Sequence, residues 1–345
     1  MGAYRSSDYI MYTPQSYTTK FTFNTDKPSL KDREAPGINR AILAYKDFRK
    51  AFSLSIDREE FAAQTTATHS AGFGLINNMY IYDPETGSSY RDSEQGKGAL
   101  MKLYNVDKEE DITGYDKEQA KELFTKAYND ALAAGDIKAE DKVELELLTY
   151  NSDATYVKMV NFIQDSITES TVGTPLEGRI IIKMVPDEDY YDHAKQGAFE
   201  MIMSTWGGSS MDPYGLMEVY CDEDTKHEYG FKPNVEKWTI NIDGKDITKT
   251  FNEWYKALVD EEYAAADAKI RLQVLAGMEL GLLETYQTTP IYYRTSTSLY
   301  SQKIEYPTYD YVQLLQFGGV RELTYNYSDQ EWTAYCVQNN NQLDY

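Results

Sequence analysis

Between Asp116 and Thr205 the sequence switches back and forth between two hydrophobic periods, and this constrains the fold more than any other feature. Asp116 and Gln119 stand where a helix N-cap and its third residue stand. Ala120, Leu123, Phe124, Ala127, Tyr128, Ala131 and Leu132 follow at helical spacing until Gly135, one apolar face closed by a glycine. Val143–Thr149 then alternates as a strand. Tyr156, Met159, Val160, Ile163 and Ile167 return to the helical period. Arg179–Val185 is an apolar strand, Tyr190–Gln196 a short helical piece, and Phe199–Thr205 a third strand. Strand–helix–strand–helix–strand requires right-handed crossovers and a largely parallel sheet with covered faces. The fold class is therefore α/β.

The flanks are less regular. Tyr17–Asn24 is β-branched and aromatic and reads as a strand, with turn residues after it. Phe48, Ala51, Phe52 and Ser55 share one face of a helix over Tyr45–Ile56, and Asp57 with Glu60 opens a second helix as a capping box. Residues 70–100 are rich in Gly, Ser and Asp without a period, and we expect a long irregular connection there. Beyond Trp206, Asp212-Pro213 fits a helix N-cap followed by proline at the first helical position. Asn241–Lys245 carries an Asp-Gly hairpin signal. Phe251–Glu262 and Asp267–Thr285 read as helices, and Thr289–Arg294 as a strand entered at a proline. The tail from Tyr306 is Tyr-rich and ends polar.

Composition excludes several classes. With 34 Lys+Arg against 56 Asp+Glu, the 345-residue chain carries a net charge of -22. No basic cluster offsets it, which argues against a nucleic-acid partner. The length suggests about two domains with a substantial core. The longest apolar runs, Ile180–Ile182 and Leu280–Leu283, are far shorter than the ~20 residues of a bilayer span. Met1–Arg5 opens into polar sequence rather than a signal peptide, which leaves open a cytosolic chain or a piece of a longer precursor. Thirty-one Tyr against 12 Phe suits a wet, adaptable binding surface, or simply a polar coat. Cys221 and Cys336 are too few for a disulfide framework; whether they pair is left open.

No reactive constellation stands out. The three His, at 69, 193 and 227, are far apart in sequence, and neither H-E-x-x-H nor C-x-x-C occurs, so no metal or other cofactor is expected. Gly207-Gly208-Ser209-Ser210-Met211 follows a strand and matches a nucleophile elbow for three residues, but ends in Met; a serine hydrolase is a remote alternative. Gly72-Phe73-Gly74 and Gly96-Lys97-Gly98 lack the spacing of nucleotide-binding loops. Asp222-Glu223-Asp224 lacks the glycine of a Ca²⁺ loop and reads as a solvated acidic turn.

Four segments, in order, resemble the family 5 extracellular solute-binding proteins, the receptors of oligopeptide, dipeptide and nickel ABC importers. Phe48–Glu59 looks like the family's signature helix (Arg, x, Ala, apolar residues, then Ile-Asp-Arg) and is preceded by a strand ending in Asn24. Tyr115–Leu123 resembles its Tyr-Asp-x-x-x-Ala-x-x-Leu helix start. Trp206 with Pro213 seven residues later, and Pro290–Arg294, resemble two further motifs. The likeness runs over roughly residues 10–320. It implies a periplasmic-binding-protein type II-like lobe with strands returning to an incomplete first lobe. Residues 1–24 would be a crossing strand from that lobe, 25–288 the second ligand-binding lobe and 289–345 the return segment. Full-length members are longer and begin with a lipoprotein signal, so the resemblance places the protein outside the cell, tethered to the outer face of the cytoplasmic membrane. The N-terminal lobe of the precursor would be missing from this chain.

The resemblance also implies the function: capture of an extracellular oligopeptide between two lobes and delivery to ABC permease subunits, without catalysis. A non-peptide solute (an oligosaccharide or a metal chelate) and a peptide-pheromone sensor are the alternatives. Thr205, Trp206, Gly207, Gly208, Ser209, Tyr292 and Arg294 are the ligand-binding candidates it names. Main chain near Trp206 would pair with the ligand as an added strand, and the glycines would let a ligand backbone approach closely. Trp206 either offers a stacking face or packs between strands. Peptide-binding members commonly carry Asp at the position of Ser209, to pair with the ligand's amino terminus; a hydroxyl makes a weaker, neutral bond. Asp212 either takes over that pairing or caps the next helix. Arg294 either clamps a carboxylate or is exposed or ion-paired.

Overall fold

The computed structural model describes residues 6–66, 68–222, 226–305, 311–312, 317–318, 322–343 and 345. The chain divides into two bodies, Ser16–Tyr293 and a smaller one made of Met1–Gln15 with Arg294–Tyr345.

The larger body is built on the alternation read above. Strand β1 (Ile10–Phe23) leads to α1 (Lys27–Asp32), the short β2 (Ile38–Asn39), α2 (Lys46–Leu54) and α3 (Arg58–Thr65). After β3 (Ser70–Ala71), β4 (Ile81–Asp83), β5 (Ser88–Ser89) and α4 (Glu94–Tyr104) come α5 (Lys117–Ala133), β6 (Lys142–Thr149), α6 (Ala154–Ser170), β7 (Ile180–Pro186), α7 (Tyr190–Lys195) and β8 (Met201–Trp206). The hairpin β9 (Lys237–Ile242) and β10 (Lys245–Thr250), helices α8 (Phe251–Val259) and α9 (Ala268–Glu284), and β11 (Thr288–Leu299) complete the path. The main sheet has the order β2-β6-β8-β1-β11-β3, with β7 on β6. β6 pairs in parallel with β2, β7 and β8, as the crossovers require, while β1 runs antiparallel to β8. The expected α/β class with a largely parallel sheet is present.

Three buried clusters hold this body together. In the first, Phe48 meets Phe124 edge-on at 5.3 Å and Phe23 meets Phe52 at 5.2 Å, joining α2 to α5 and to β1. In the second, α9 and α8 bury Leu275, Met278, Leu283 and Trp254. Asp57 and Asp116 cap α3 and α5 by accepting from the N–H of Glu60 and Gln119. Asp243 and Gly244 turn the hairpin with positive φ, 48° and 84°.

The signature helix has a structural explanation. Arg58 is 1% exposed. It donates from Nε to Pro290 O (2.8 Å), from Nη1 to Gly114 O (2.7 Å) and from Nη2 to Ser53 Oγ (2.9 Å). Arg49 donates to Leu43 O (2.6 Å) and Thr285 O (2.9 Å). Two planar forks thus clasp the entry to β11 and the approach to α5 onto one helical hairpin. Asn24, fully buried, closes the end of β1 with bonds to Gly197 O, Phe199 O and Ser29 Oγ.

Three expectations are corrected. Residues 70–100 are not simply irregular: α4 begins at Glu94 behind the Ser93 cap. Its two glycines hid it, and Gly96 is required because a Cβ there would lie 2.3 Å from Tyr90 O. β1 begins at Ile10 rather than Tyr17, Pro14 having masked its start. The helix expected after Asp212-Pro213 is a 3₁₀ segment at Gly215–Tyr220.

In the smaller body, β12 (Ile304–Glu305) pairs with β15 (Thr324–Tyr325) and β13 (Tyr311–Val312) with β14 (Phe317–Gly318). Helix α10 (Asp329–Gln338) starts from a Ser328–Glu331 capping box, and its Tyr335 stacks with both Tyr327 and Trp332. Glu223 and Asp224 of the acidic turn, Met1–Arg5 and residues 306–310 of the tail lie outside the described residues. Cys221 and Cys336 are both free thiols. No described helix is long and apolar enough to cross a membrane.

Candidate functional site

The end of β8 lacks a strand partner on one side, with Met203 and Ser204 still buried and Thr205 and Trp206 emerging. On one side β8 pairs with β1 along its whole length, Thr18 opposite Trp206 and Phe23 opposite Met201. On the other, β6 reaches only Met201 and Ile202. From Met203 to Trp206 no described strand pairs that edge. The Thr205 N–H there turns to Tyr191 Oη at 3.3 Å, and the Thr205 hydroxyl meets that of Thr19 at 2.9 Å.

Trp206 ends the strand with its side chain 37% exposed, so the indole is not sealed in the core. A concavity of about 640 Å³ opens beside it, lined by Trp206, Gly208, Ser209, Asp212, Glu218 and His227, with Lys195 and Asp222. Gly207 fits only as glycine: a Cβ would lie 2.7 Å from the Tyr17 ring and 2.8 Å from Ser16 O. Gly208 has space around its Cα, but both its backbone groups are held inside the chain. Its N–H donates to Tyr80 Oη (2.7 Å) and its carbonyl accepts from Ser16 Oγ (3.1 Å). The Ser209 carbonyl accepts from Asp212 N–H (3.0 Å). Asp212 Oδ1 accepts from Tyr214 and Gly215 N–H (3.1 and 3.0 Å), so the carboxylate caps the 3₁₀ turn through one oxygen.

The concavity is electronegative. Asp212, Glu218 and Asp222 face it against Lys195. Among the described residues neither Asp212 nor Glu218 joins an ion pair. His227 adds no charge at neutral pH, because burial pushes its pKa down to about 4; its ring stacks on Tyr191 at 4.5 Å with an interplanar angle of 3°. Among the described residues no hydrogen bond joins Ser209 to His227, and among them no group of three His, Cys, Asp or Glu is placed to hold a metal. Behind the wall, buried Lys20 of β1 pairs with Glu228 and donates to Tyr220 Oη (3.2 Å), fixing the segment that carries His227.

Tyr292 does not line this concavity. Tyr292 is buried on β11, its ring 4.8 Å from His69 and stacked on Phe61 at 6.3 Å. Arg294 is exposed and opens the C-terminal part of the smaller body. Sequence reasoning missed Tyr80, Ser16, Tyr191 and His227. Tyr80 sits in the aperiodic stretch, and His227 bore no motif.

Known proteins agree with this architecture. The chain is 24% identical over 163 residues to the dipeptide-binding protein of Lactococcus lactis subsp. cremoris (strain MG1363), which covers 47% of this chain and 26% of that protein. Among solved structures, peptide-bound OppA of Listeria monocytogenes superposes with a TM-score of 0.62 at 15% identity, over 95% of this chain and 52% of that one. The pheromone receptor PrgZ gives 0.59 at 18%, over 88% and 47%. Haemophilus influenzae OppA in complex with RPPGFSPFR gives 0.57 at 17%, over 92% and 50%. At these identities the structures share the fold. The chain spans about half the length of these structures and about a quarter of the curated relative. The profile of the bacterial extracellular solute-binding proteins, family 5 (middle), matches residues 3–228, well over half of the sequence, and the chain belongs to that family.

Proposed function

We propose that this chain is part of the receptor of an ABC importer, and that it captures an extracellular oligopeptide and delivers it to a membrane permease. The observation that carries this reading is the end of β8 at Thr205 and Trp206, where the strand has no partner on one side and emerges from the core at an exposed indole beside a glycine wall. A peptide laid along such an edge gains main-chain hydrogen bonds whatever its side chains, and a wet concavity tolerates varied ones. The relatives described above are by name a dipeptide-binding protein, a pheromone receptor and a protein bound to peptide, which favours peptide over sugar or chelate. On this reading the body at Ser16–Tyr293 is the second lobe of a clamp. Its first lobe combines the remaining segments with chain that precedes them in a longer, lipid-anchored precursor. Thr205 to Ser209 form the ligand wall, and Arg294 is available to a ligand carboxylate.

Where the family's peptide binders carry Asp, Ser209 offers a hydroxyl. The carboxylates of Asp212, Glu218 and Asp222 line the same concavity, so a cationic group of the peptide is the better fit.

The test uses the protein at its full natural length. Mass spectrometry of material released on denaturation identifies the cargo, and calorimetric titration compares tri-lysine, tri-alanine and tri-glutamate. Released peptides, tri-lysine bound tightest and at least about tenfold weakening by Trp206→Ala are expected. An oligosaccharide or a metal chelate as the released cargo would overturn the reading.

A further inference from the structure

Gly208 is held by a closed ring of hydrogen bonds. Its N–H donates to Tyr80 Oη (2.7 Å), the Tyr80 hydroxyl donates to Ser16 O (2.9 Å), and Ser16 Oγ donates back to Gly208 O (3.1 Å). Tyr80 is fully buried, although Gly208 itself is exposed. An exposed glycine normally leaves its main chain to water and to motion; this one is fastened from behind.

The segment that supplies Tyr80 is itself fixed at several points. Ile81 N–H donates to Ser210 O (2.7 Å) and Tyr90 N–H to Tyr80 O (2.7 Å). Asn77 Nδ2 reaches Tyr17 O at 3.4 Å. Upstream, Glu279 of α9, fully buried, accepts from Leu75 N–H (2.8 Å), Ile76 N–H (3.1 Å), Tyr90 Oη (2.7 Å) and Arg91 Nη2 (2.6 Å). Arg91 in turn donates to Ile76 O (2.7 Å). One carboxylate thus anchors the stretch from Leu75 to Arg91, and that stretch aims one hydroxyl at the wall.

We propose that Tyr80 is a positioning residue: acting through Gly208, it holds the Trp206–Ser210 wall in its ligand-ready form before any ligand arrives. This deepens, and rests on, the peptide-binding reading above. A preformed wall removes the ordering cost that binding would otherwise carry. With the Tyr80 hydroxyl gone, water reaches Gly208, the fold stands, and the wall loosens.

The experiment compares wild type with Tyr80→Phe and Tyr45→Phe. The Tyr45 hydroxyl bonds Asp136 in another part of the body, so its loss controls for deletion of a hydrogen-bonded phenol. Two readouts are taken: amide exchange at Gly208 by NMR, and tri-lysine affinity of the full-length protein by calorimetry. Tyr80→Phe is expected to speed Gly208 exchange and weaken tri-lysine binding, each about tenfold, the worth of one hydrogen bond, with core amides such as Ile202 unchanged. Tyr45→Phe should change neither. Unchanged Gly208 exchange in Tyr80→Phe overturns the proposal, as does faster exchange with undiminished affinity. If wild type binds no peptide of any charge, the functional reading fails and takes the affinity claim with it. Gly208 exchange then still decides whether Tyr80 fixes the wall.

Discussion

The two adjacent glycines of the wall differ in what an added methyl group would meet. At Gly207 a Cβ would lie within 2.8 Å of Ser16 O, which is main chain and cannot step aside, whereas at Gly208 the nearest atom is Leu216 Cδ1 at 3.5 Å. Gly207→Ala is therefore expected to destabilise by about 1–3 kcal/mol through overpacking, and Gly208→Ala by well under 1 kcal/mol; urea unfolding followed by far-UV dichroism checks both. His227 makes the other prediction at this scale. Burial holds its pKa at about 4 in the folded protein, below the ordinary ~6.5 it regains on unfolding. The unfolded chain therefore binds the proton first. Stability is full above about pH 6.5 and falls as the pH drops toward 4. Lower still, Asp136 follows. Burial alone would raise its carboxyl, but hydrogen bonds from Lys27, Lys31 and Tyr45 hold it well below the usual carboxylate range. Its contribution is complete above the unfolded value and is lost as the pH falls below about 4. Urea midpoints from pH 7.5 to 4 should trace the histidine limb, and His227→Gln should flatten it.

Among the elements, the clasp on α2 and α3 is the part whose loss costs most. Arg58→Met would strand Pro290 O, Gly114 O and Ser53 Oγ in a dry interior, and we expect a loss of about 3 kcal/mol or more in urea unfolding. Arg58→Lys should recover little of it, since one ammonium cannot span the fork. This scale was also where the sequence spoke most clearly. Helices α5, α6 and α9 and strands β6, β7 and β8 announced themselves because each buries one face or both, and burial leaves a period. Helix α4 was silent because Gly96 and Gly98 occupy its first turns; the demand for close approach to Tyr90 outweighed propensity there. The wall around Trp206 was legible as a motif, but its fastening was not. Ser16, Tyr80 and Gly208 meet across 192 residues, and no local pattern encodes such a meeting.

For the molecule as a whole, charge is the dominant property. At -22 the protein repels polyanions, and gel-shift titration with duplex DNA or RNA at physiological salt should give no complex at micromolar protein. On the proposed reading, the same field draws cationic peptides toward a concavity lined by Asp212, Glu218 and Asp222. Tri-lysine association should therefore slow as salt rises, while tri-alanine should be nearly indifferent.

The guanidinium of Arg58 answers to main-chain oxygens and one serine of its own chain, and none of its partners lines the hollow beside Trp206. The frame and the hollow are held by separate sets of contacts. The exposed rim side chains of Ser209, Asp212 and Glu218 can accordingly be exchanged while the clasp, and the core residues Tyr214, Leu216 and Met217 between them, stay as they are.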